Sequence, residues 1–478
     1  MASQLLQNLT EKLHGCGIHT LRQLGRAVGV YSPTNKKKEE LIEDILAIAT
    51  NRADPVVNES RRGAPPKSDE YDRTLLSDIE RCRSYYSGLT LAETREELPV
   101  SEDAVSSPEL ADDEDVYAGV LENDQKNWFI RIRDNAFVSR VHIGSEFINR
   151  FKLRTGDRVV CRAARCAAGE CPAASLIMAV NGIFPDVLRR IPFEDLTPCY
   201  PDRRYSLGGC TESLAGRVID LFAPIGNGQR ALIVAAPNCG KTELLRHIAL
   251  SFAKQYPQTP VIAALVGARP EDITEFRRTV NAAECECTAF DGRDTEHIRA
   301  ANLALERAKR LAEEGKDAVL ILDGLNTLVR AYATALSPSG RQLPCGIDTM
   351  AFAELKRIFG AARNTEEGGS LTVIAAVVCD TGSPVDETLR EELLPAANMR
   401  LILSPDLAAK RVFPAIDLVL SGTRRDDLLL SSKEIAAASA VRSAVSGGAD
   451  LAAVYAAIGS ARSGEEFIED WQKYLKNT

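Results

Sequence analysis

Cysteine is sparse, 12 among 478 residues with no short regular spacing, so neither a disulfide framework nor an oxidising compartment fits. The densest group, Cys161, Cys166 and Cys171, lacks a fourth ligand and does not match the usual zinc spacings. No apolar run approaches the ~18 uninterrupted residues of a membrane span, and Met1 to Val30 lacks the basic, apolar and small-residue order of a secretory signal. A cytoplasmic protein without membrane contact is expected. An overall cationic excess is also missing, since the net charge is -9, which at first argues against a nucleic-acid partner. Present instead are 45% hydrophobic and 26% charged residues, an ordinary globular composition. At roughly 150 residues per domain the length predicts two to four domains.

The charge is unevenly placed. From Pro55 to Val116 there are 7 Lys/Arg against 16 Asp/Glu, which accounts for the whole deficit. From Tyr117 to Pro185 the balance reverses to 10 basic against 6 acidic residues, and this segment can face phosphates.

Four pieces follow from pattern. Residues 1–54 form a small helical unit, with apolar spacing at Leu21, Leu24 and Val28, and then at Leu41, Ile42 and Ile45 after a turn where Asn35 is a capping candidate. Lys36, Lys37 and Lys38 are either a solvated first turn or a phosphate-touching edge. Residues 55–116, with Pro65-Pro66 and the run from Asp112 to Asp115, form an acidic linker without sustained apolar period, apart from a short helical stretch near Arg73 to Arg83. Residues 117–185 hold five short strands, Tyr117 to Leu121, Trp128 to Ile132, Val138 to Ile143, Arg158 to Arg165 and Ser175 to Val180, which predict a small barrel. Such barrels stack single-stranded bases on aromatics beside basic residues, and Trp128, Phe129, Arg131 and Arg133 offer both groups. Whether Trp128 stacks or fills the core is open. From 190 to 478, apolar runs at Ala231 to Ala235, Val261 to Val266, Ala318 to Leu322, Leu371 to Val378 and Met399 to Leu403 alternate with helical stretches, which predicts a buried, largely parallel sheet. The Ala-rich end from Ser431 should pack on that domain, with Trp471 as a core anchor.

The first of those runs enters Ala235-Ala236-Pro237-Asn238-Cys239-Gly240-Lys241-Thr242, followed by a helical stretch. A phosphate chain needs inward backbone amides, a lysine that reaches the outer phosphates and a hydroxyl for magnesium; Gly240, Lys241 and Thr242 supply these in order. Asp323, at the tip of Ala318 to Leu322, has the position of the acid that holds the magnesium shell.

Downstream stretches are specific. Glu194-Asp195-Leu196-Thr197-Pro198, the run from Ala223 to Arg230, Phe359-Gly360-Ala361-Ala362-Arg363-Asn364, Glu367 to Thr372, Lys410 to Asp417 and Ser421-Gly422-Thr423-Arg424 together resemble the Rho family of bacterial transcription terminators, hexameric RNA-dependent ATPases and helicases. The resemblance implies a multidomain chain: a small N-terminal helical unit, a cold-shock-like OB β-barrel and a RecA-type α/β P-loop ATPase domain. It implies ATP and Mg2+ as ligands. It also implies single-stranded RNA and the RNA polymerase elongation complex as partners, and a homohexamer.

Site residues follow by resemblance. Lys241, Asp323, Arg411 and Arg424 take catalytic roles, Arg424 as a finger to a neighbour's ATP with Arg411 close by. Gly226, Asn227, Gly228, Gln229, Arg230 and Ala231 take nucleotide contacts, together with Asn238, Cys239, Gly240, Lys241, Thr242, Glu243 and Arg269, and Phe413 packs on adenine. Thr242 and Asp323 take the metal. RNA contacts fall to Trp128, Ile130 and Arg131 in the barrel, and to Leu343, Cys345, Gly346, Gly382 and Ser383 in two pore loops.

The sequence also departs from the family. Where the family has Asp-Glu-Arg-Pro, with Glu activating the attacking water, this chain has Gly267-Ala268-Arg269-Pro270. Asn238 replaces a phosphate-loop lysine and Pro384 a pore-loop lysine; the other pore loop reads Leu343-Pro344-Cys345-Gly346. Of two stacking phenylalanines in the barrel, Trp128 keeps one place and Ile130 loses the other. Two readings therefore stand: an RNA-dependent ATP-driven translocase that releases transcripts from polymerase, and a hydrolysis-poor, nucleotide-bound RNA-binding ring or regulator.

Overall fold

A computed structural model describes residues 12–13, 16–28, 30, 36–49, 114–124, 127–132, 140–164, 171–187, 190–208, 213–281, 283–461 and 463–475. Most of the expected linker, Asn35, Arg133 and Cys166 lie outside them. The chain forms two compact units, divided after Glu114.

In the first unit, α1 (Ile18–Val28) and α2 (Lys38–Ala49) pair through the apolar stripe that their spacing predicts, with Leu21, Leu24, Leu41, Ile42 and Ile45 buried. Glu40 accepts the Lys37 amide at 3.0 Å and so closes the start of α2. Lys36 is tied to Asp44 at 2.6 Å, which makes it a local pairing residue.

The second unit opens with a five-stranded sheet. Its strands are β1 (Glu114–Asp124), β2 (Asn127–Arg131), β3 (Arg140–Ile143), β4 (Arg158–Ala164) and β5 (Ala174–Val180), with helix α3 (Ser145–Phe151) between β3 and β4. β1 begins at Glu114, so residues 114–116 belong to this sheet and not to the linker. The strand order is β3-β2-β1-β4-β5, and the His142 amide donates to Pro172 O at 2.7 Å, which brings β3 back to the entrance of β5. Tyr117, Leu121, Ile130, Val141, Val159 and Cys161 fill the interior. Burial pushes the Cys161 thiol up to about 12, the opposite of what a metal thiolate needs.

The remainder is one α/β domain. In chain order it contains α4 (Leu214–Phe222), β6 (Arg230–Ala235), α5 (Lys241–Gln255), β7 (Val261–Ala268), α6 (Pro270–Thr279), β8 (Glu284–Ala289), α7 (Asp294–Glu313), β9 (Ala318–Asp323), α8 (Leu325–Ala335), α9 (Thr349–Gly360), β10 (Leu371–Val378), α10 (Pro384–Leu393), β11 (Met399–Leu403), α11 (Pro405–Ala409) and β12 (Gly422–Thr423). Three helices close the chain: α12 (Ser432–Ser446), α13 (Leu451–Ser460) and α14 (Gly464–Leu475). The sheet order is β8-β7-β9-β10-β6-β11-β12, parallel throughout except for antiparallel β12. The strands read as continuous apolar runs because both faces are covered. Ala231, Ile233 and Ala235 of β6 enter one core, Leu232 and Val234 the other. Val441, Tyr455 and Phe467 of the closing helices join the first core, and Trp471 packs against it half-buried.

The sheet's two domains meet along α7. Gly156 sits so close to this helix that a Cβ there would lie 2.4 Å from the Glu306 carbonyl carbon. Arg190 pairs with Asp157 of the β-domain (Nη2 to Oδ2, 2.7 Å) and lies 3.4 Å from Glu313 of α7, which Arg310 holds at 2.9 Å. Burial pushes the Glu313 carboxyl up and the Arg310 guanidinium down. Arg154 also reaches Glu313 at 3.4 Å and Glu306 reaches Arg310 at 3.6 Å, so the buried charges form a network in which loss of one member leaves its neighbours partly compensated.

Candidate active site

The phosphate loop lies between β6 and α5. Asn238 (φ 63°) and Gly240 (φ 82°) both take left-handed backbone there. Gly240 caps α5, whose first residues are Lys241 and Thr242, so the expected helix starts two places earlier than Glu243. An exposed helix N-terminus with free amides and a positive dipole end suits an anion.

Asp323 ends β9, and parallel pairing puts it level with Leu265 of β7. Lys241 forms an ion pair with Asp323, and the Thr242 hydroxyl donates to its other oxygen at 3.2 Å. Asp323 is 7% exposed. A hydroxyl and a carboxylate converging beside a helix N-terminus form a hard-oxygen donor set that fits magnesium rather than a softer metal.

Beside the loop is a cavity of 410 Å³, lined by Cys239, Gly240, Glu243, His247, Leu403 and Phe413 among others. Phe413 is 47% exposed, and its ring lies 3.4 Å from where a Gly240 Cβ would be. Glu243 accepts from Arg246 at 2.5 Å and meets His247 at 2.9 Å; the Arg246 hydrogen bonds hold its carboxyl below the usual range. Burial raises the Cys239 thiol, and the Asp380 carboxylate adds to the effect; the segment after β10 runs beside the phosphate loop, where the Cys379 amide donates to Ala235 O at 2.9 Å.

Three expectations are corrected by geometry. First, the stretch from Gly226 to Ala231 lies at the far end of β6, about 20 Å from the phosphate loop for six extended residues. Asn227 accepts the Arg203 amide at 3.0 Å, the Gly228 amide donates to Thr372 at 2.9 Å, and Gln229 donates to Asn398 at 2.9 Å. Arg230 donates to Ala396 O at 2.9 Å, and Ala231 is fully buried. Within one chain these residues build a turn away from the phosphate loop. Second, Arg411 and Arg424 are not close: Arg411 follows α11 at the phosphate-loop end of β11, whereas Arg424 follows β12 beside Met399, at the opposite end. Arg424 shares that end with Arg230, whose guanidinium is pushed down by burial and by the charges of Arg363 and Arg424. Third, Ile130 is fully buried in the β-domain core, so it presents no surface to RNA. Trp128 is half-buried on that same core. The other face of β2 carries Phe129, with the Arg140 guanidinium 4.6 Å from its ring centre, and Arg131, held by Glu122 at 2.9 Å.

The pore-loop candidates are tightly folded. Leu343 and Ile347 close a turn at 2.9 Å, Gly346 within it has φ 83°, and Leu343 and Cys345 pack on the second core. Gly382 is exposed with φ 78°, and Ser383 caps α10, whose first residue is Pro384. Arg269 is exposed at the tip of β7, and Ala268 before it is half-buried. Sequence pattern had missed β8, whose Glu-Cys-Glu-Cys alternation does not read as a buried run, and the Asp157, Arg190, Arg310 and Glu313 cluster, whose members are far apart in sequence.

The nucleotide-binding domain of the ATP synthase alpha/beta family matches residues 215–423. Among solved structures, a prototypical ATPase from the type III secretion system of pathogenic bacteria aligns with a TM-score of 0.51 at 22% identity, over 65% of this chain and 94% of the other. The assembled type III secretion ATPase of enteropathogenic E. coli aligns with a TM-score of 0.50 at 17% identity, over 77% and 98%. These share the fold. Three relatives bear the name transcription termination factor Rho. That of Pseudomonas aeruginosa is 43% identical over 66% of this chain and 78% of its own. That of Escherichia coli K12 is 43% identical over 67% and 79%. That of Haemophilus influenzae is 41% identical over 77% and 89%. At that identity over more than three quarters of its length, the chain belongs to the Rho family of transcription termination factors.

Proposed function

We propose that this protein binds nascent single-stranded RNA and uses RNA-dependent ATP hydrolysis to release transcripts from the RNA polymerase elongation complex in the bacterial cytoplasm. The observation that carries the reading is the convergence of Lys241 and Thr242 on Asp323 beside a cavity walled by Phe413. In this reading the amides from Asn238 to Thr242 hold the phosphates, Lys241 leaves Asp323 for the outer phosphates, and the base packs on Phe413. Thr242 and Asp323 hold Mg2+, which when bound neutralises charge that develops on the transferred phosphoryl group. Arg269 projects from the β7 tip toward the same end of the sheet. Arg424, at the opposite end, serves the site of a neighbouring subunit, which calls for a homohexamer. The strand order and the helix between β3 and β4 support an OB-fold reading, and Arg140 and Arg131, with the half-buried Trp128, are the groups placed to meet phosphates and bases, while Phe129, 6% exposed, packs beneath Arg140. Residues 1–54 serve as the family's N-terminal helical unit.

Ala268 has no proton acceptor, so water activation is the weak step; losing a general base commonly removes ~10² to 10⁴ in rate. Phosphoryl transfer depends mainly on positioning and electrostatics, which this site keeps. Ala268 and Pro384 are the observations that favour the second reading, a slow-hydrolysing RNA-binding ring.

The test is steady-state ATP hydrolysis with and without cytosine-rich RNA, with Lys241→Ala as blank and Ala268→Glu alongside. Turnover that rises with RNA and vanishes in Lys241→Ala is expected. ATP binding without turnover in the unaltered protein would replace the motor by the ring, and a strong gain in Ala268→Glu would identify the missing group.

A further inference from the structure

The β7 tip is held by residues that no role above uses. Pairing between β7 and β8 runs from Ile262 opposite Glu284 to Leu265 opposite Cys287, then resumes at Ala268 opposite Ala289, so β7 carries one extra residue across the gap. This is a bulge, a feature that re-aims the strand beyond it. Gly267, inside the bulge, has φ 64°, and a Cβ there would lie 2.8 Å from the Thr327 methyl carbon. Its amide leaves the ladder and donates to the Thr288 hydroxyl of β8 at 3.2 Å. That hydroxyl lies 2.8 Å from His297 Nδ1 on the first turns of α7. Both side chains are buried, Thr288 at 8% and His297 at 2% exposure. One threonine proton and its lone pairs satisfy both contacts when the hydroxyl accepts from Gly267 and donates to Nδ1, with the ring proton on Nε2. Past the bulge the Phe290 amide donates to Ala268 O at 3.0 Å, so the tip is fixed on both sides of Gly267.

We infer that Thr288 and His297 are positioning residues for hydrolysis: together they hold the bulge that sets the direction in which Ala268 and Arg269 leave the sheet. The inference rests on the reading that Arg269 faces the nucleotide. Neither residue is among those lining the nucleotide cavity. Their effect is geometric, and misplacement of a reacting group by ~1 Å can cost ~10² in rate. Removing the hydroxyl takes the Thr288 acceptor from the Gly267 amide and lets the bulge relax toward a regular ladder.

The experiment compares the full-length protein with Thr288→Val, which keeps shape but lacks the hydroxyl, with Thr288→Ser, which keeps the hydroxyl, and with His297→Gln. Hydrolysis at saturating RNA is measured in the natural and the Ala268→Glu backgrounds, together with hydrogen exchange of the peptide that spans the β7 tip. Expected is a fall in kcat of about tenfold or more in Thr288→Val with KM for ATP within about twofold, recovery in Thr288→Ser, a fall in the same direction in His297→Gln, and faster exchange at the tip in the valine variant but not in the serine variant. Unchanged kcat in Thr288→Val, whatever the exchange, overturns the inference, as does a loss that serine fails to restore. If both backgrounds with Thr288 intact lack turnover, the hydrolytic reading itself fails and the positioning role falls with it; turnover there with an active valine variant fails this inference alone.

Discussion

Removing Lys241 should damage folding as well as catalysis. The Asp323 side chain is 9% exposed and its ion-pair partner Lys241 17%, and the Thr242 hydroxyl is a further contact at 3.2 Å. Breaking a buried pair by deleting one partner costs about 3–5 kcal/mol, because the other charge is left uncompensated. The cleft is open on the Lys241 side, so water recovers part of this and a cost below that range, about 2–3 kcal/mol, is expected. For a domain of this size that is a fall in Tm of about 4–12 °C. The assay is calorimetry without nucleotide on Lys241→Met, Asp323→Asn and the double variant. Neutralising Asp323 removes the stranded charge, so the double variant should be more stable than the sum of the singles predicts, while turnover stays at zero in Lys241→Met and in the double. Additivity within about 0.5 kcal/mol would refute the claim that the two side chains hold each other in the nucleotide-free protein.

Three further outcomes are expected. Phe413→Ala should raise KM for ATP about 5- to 100-fold, the equivalent of ~1–3 kcal/mol of base stacking, and should leave Tm nearly unchanged because the ring is half exposed; an unchanged KM places the base elsewhere. Pro384→Lys restores a cation at the exposed start of α10, so RNA should stimulate hydrolysis at lower concentration and with a steeper salt dependence, by about 0.7 in the logarithmic slope; an identical titration at two salt concentrations removes this loop from the RNA path. Gly156→Ala puts a Cβ against the α7 backbone at φ 90°, so it should lower Tm by loosening the β-domain from α7; calorimetry that shows no change would deny that close packing.

Much of the fold was legible because burial on both faces of a parallel sheet leaves nearly uninterrupted apolar runs. β6, β7, β9, β10 and β11 all contain the runs that pattern picked out. β8 escaped because it is an edge strand, half of it polar, and edge strands lose the pattern that identifies central ones. The phosphate loop and Asp323 were legible because their chemistry is local: four or five neighbouring residues set the amides, the charge and the hydroxyl. What stayed hidden was distance. The run from Gly226 to Ala231 and the phosphate loop are neighbours in sequence, yet a strand of six residues carries them to opposite ends of the sheet. Thr288 and His297 gave no signal, since a buried threonine in a strand and a histidine on a helix are individually unremarkable.

The same separation explains how this site is divided. A parallel sheet presents all its strand tips at one end, so the phosphate loop, Asp323, Arg269 and the loop before Pro384 share that end without further design. Arg424 follows the antiparallel edge strand β12 and is delivered to the other end, alongside Arg230 and Arg363. On the proposed function, a single chain carries the phosphate and metal residues at one end of the sheet and, at the other, an arginine that cannot reach them. The two ends become one site only if copies are arranged head to tail, a heterologous contact that forms a ring when its rotation closes. Given the finger role that resemblance assigns to Arg424, the geometry calls for more than one copy, and the number six comes from the resemblance. It also predicts that mixing Lys241→Ala chains with Arg424→Ala chains, each inactive alone, restores turnover at those interfaces where an intact phosphate site meets an intact arginine. Turnover that stays at zero across all mixing ratios, with mixed assemblies demonstrated, would mean that Arg424 does not act across the interface.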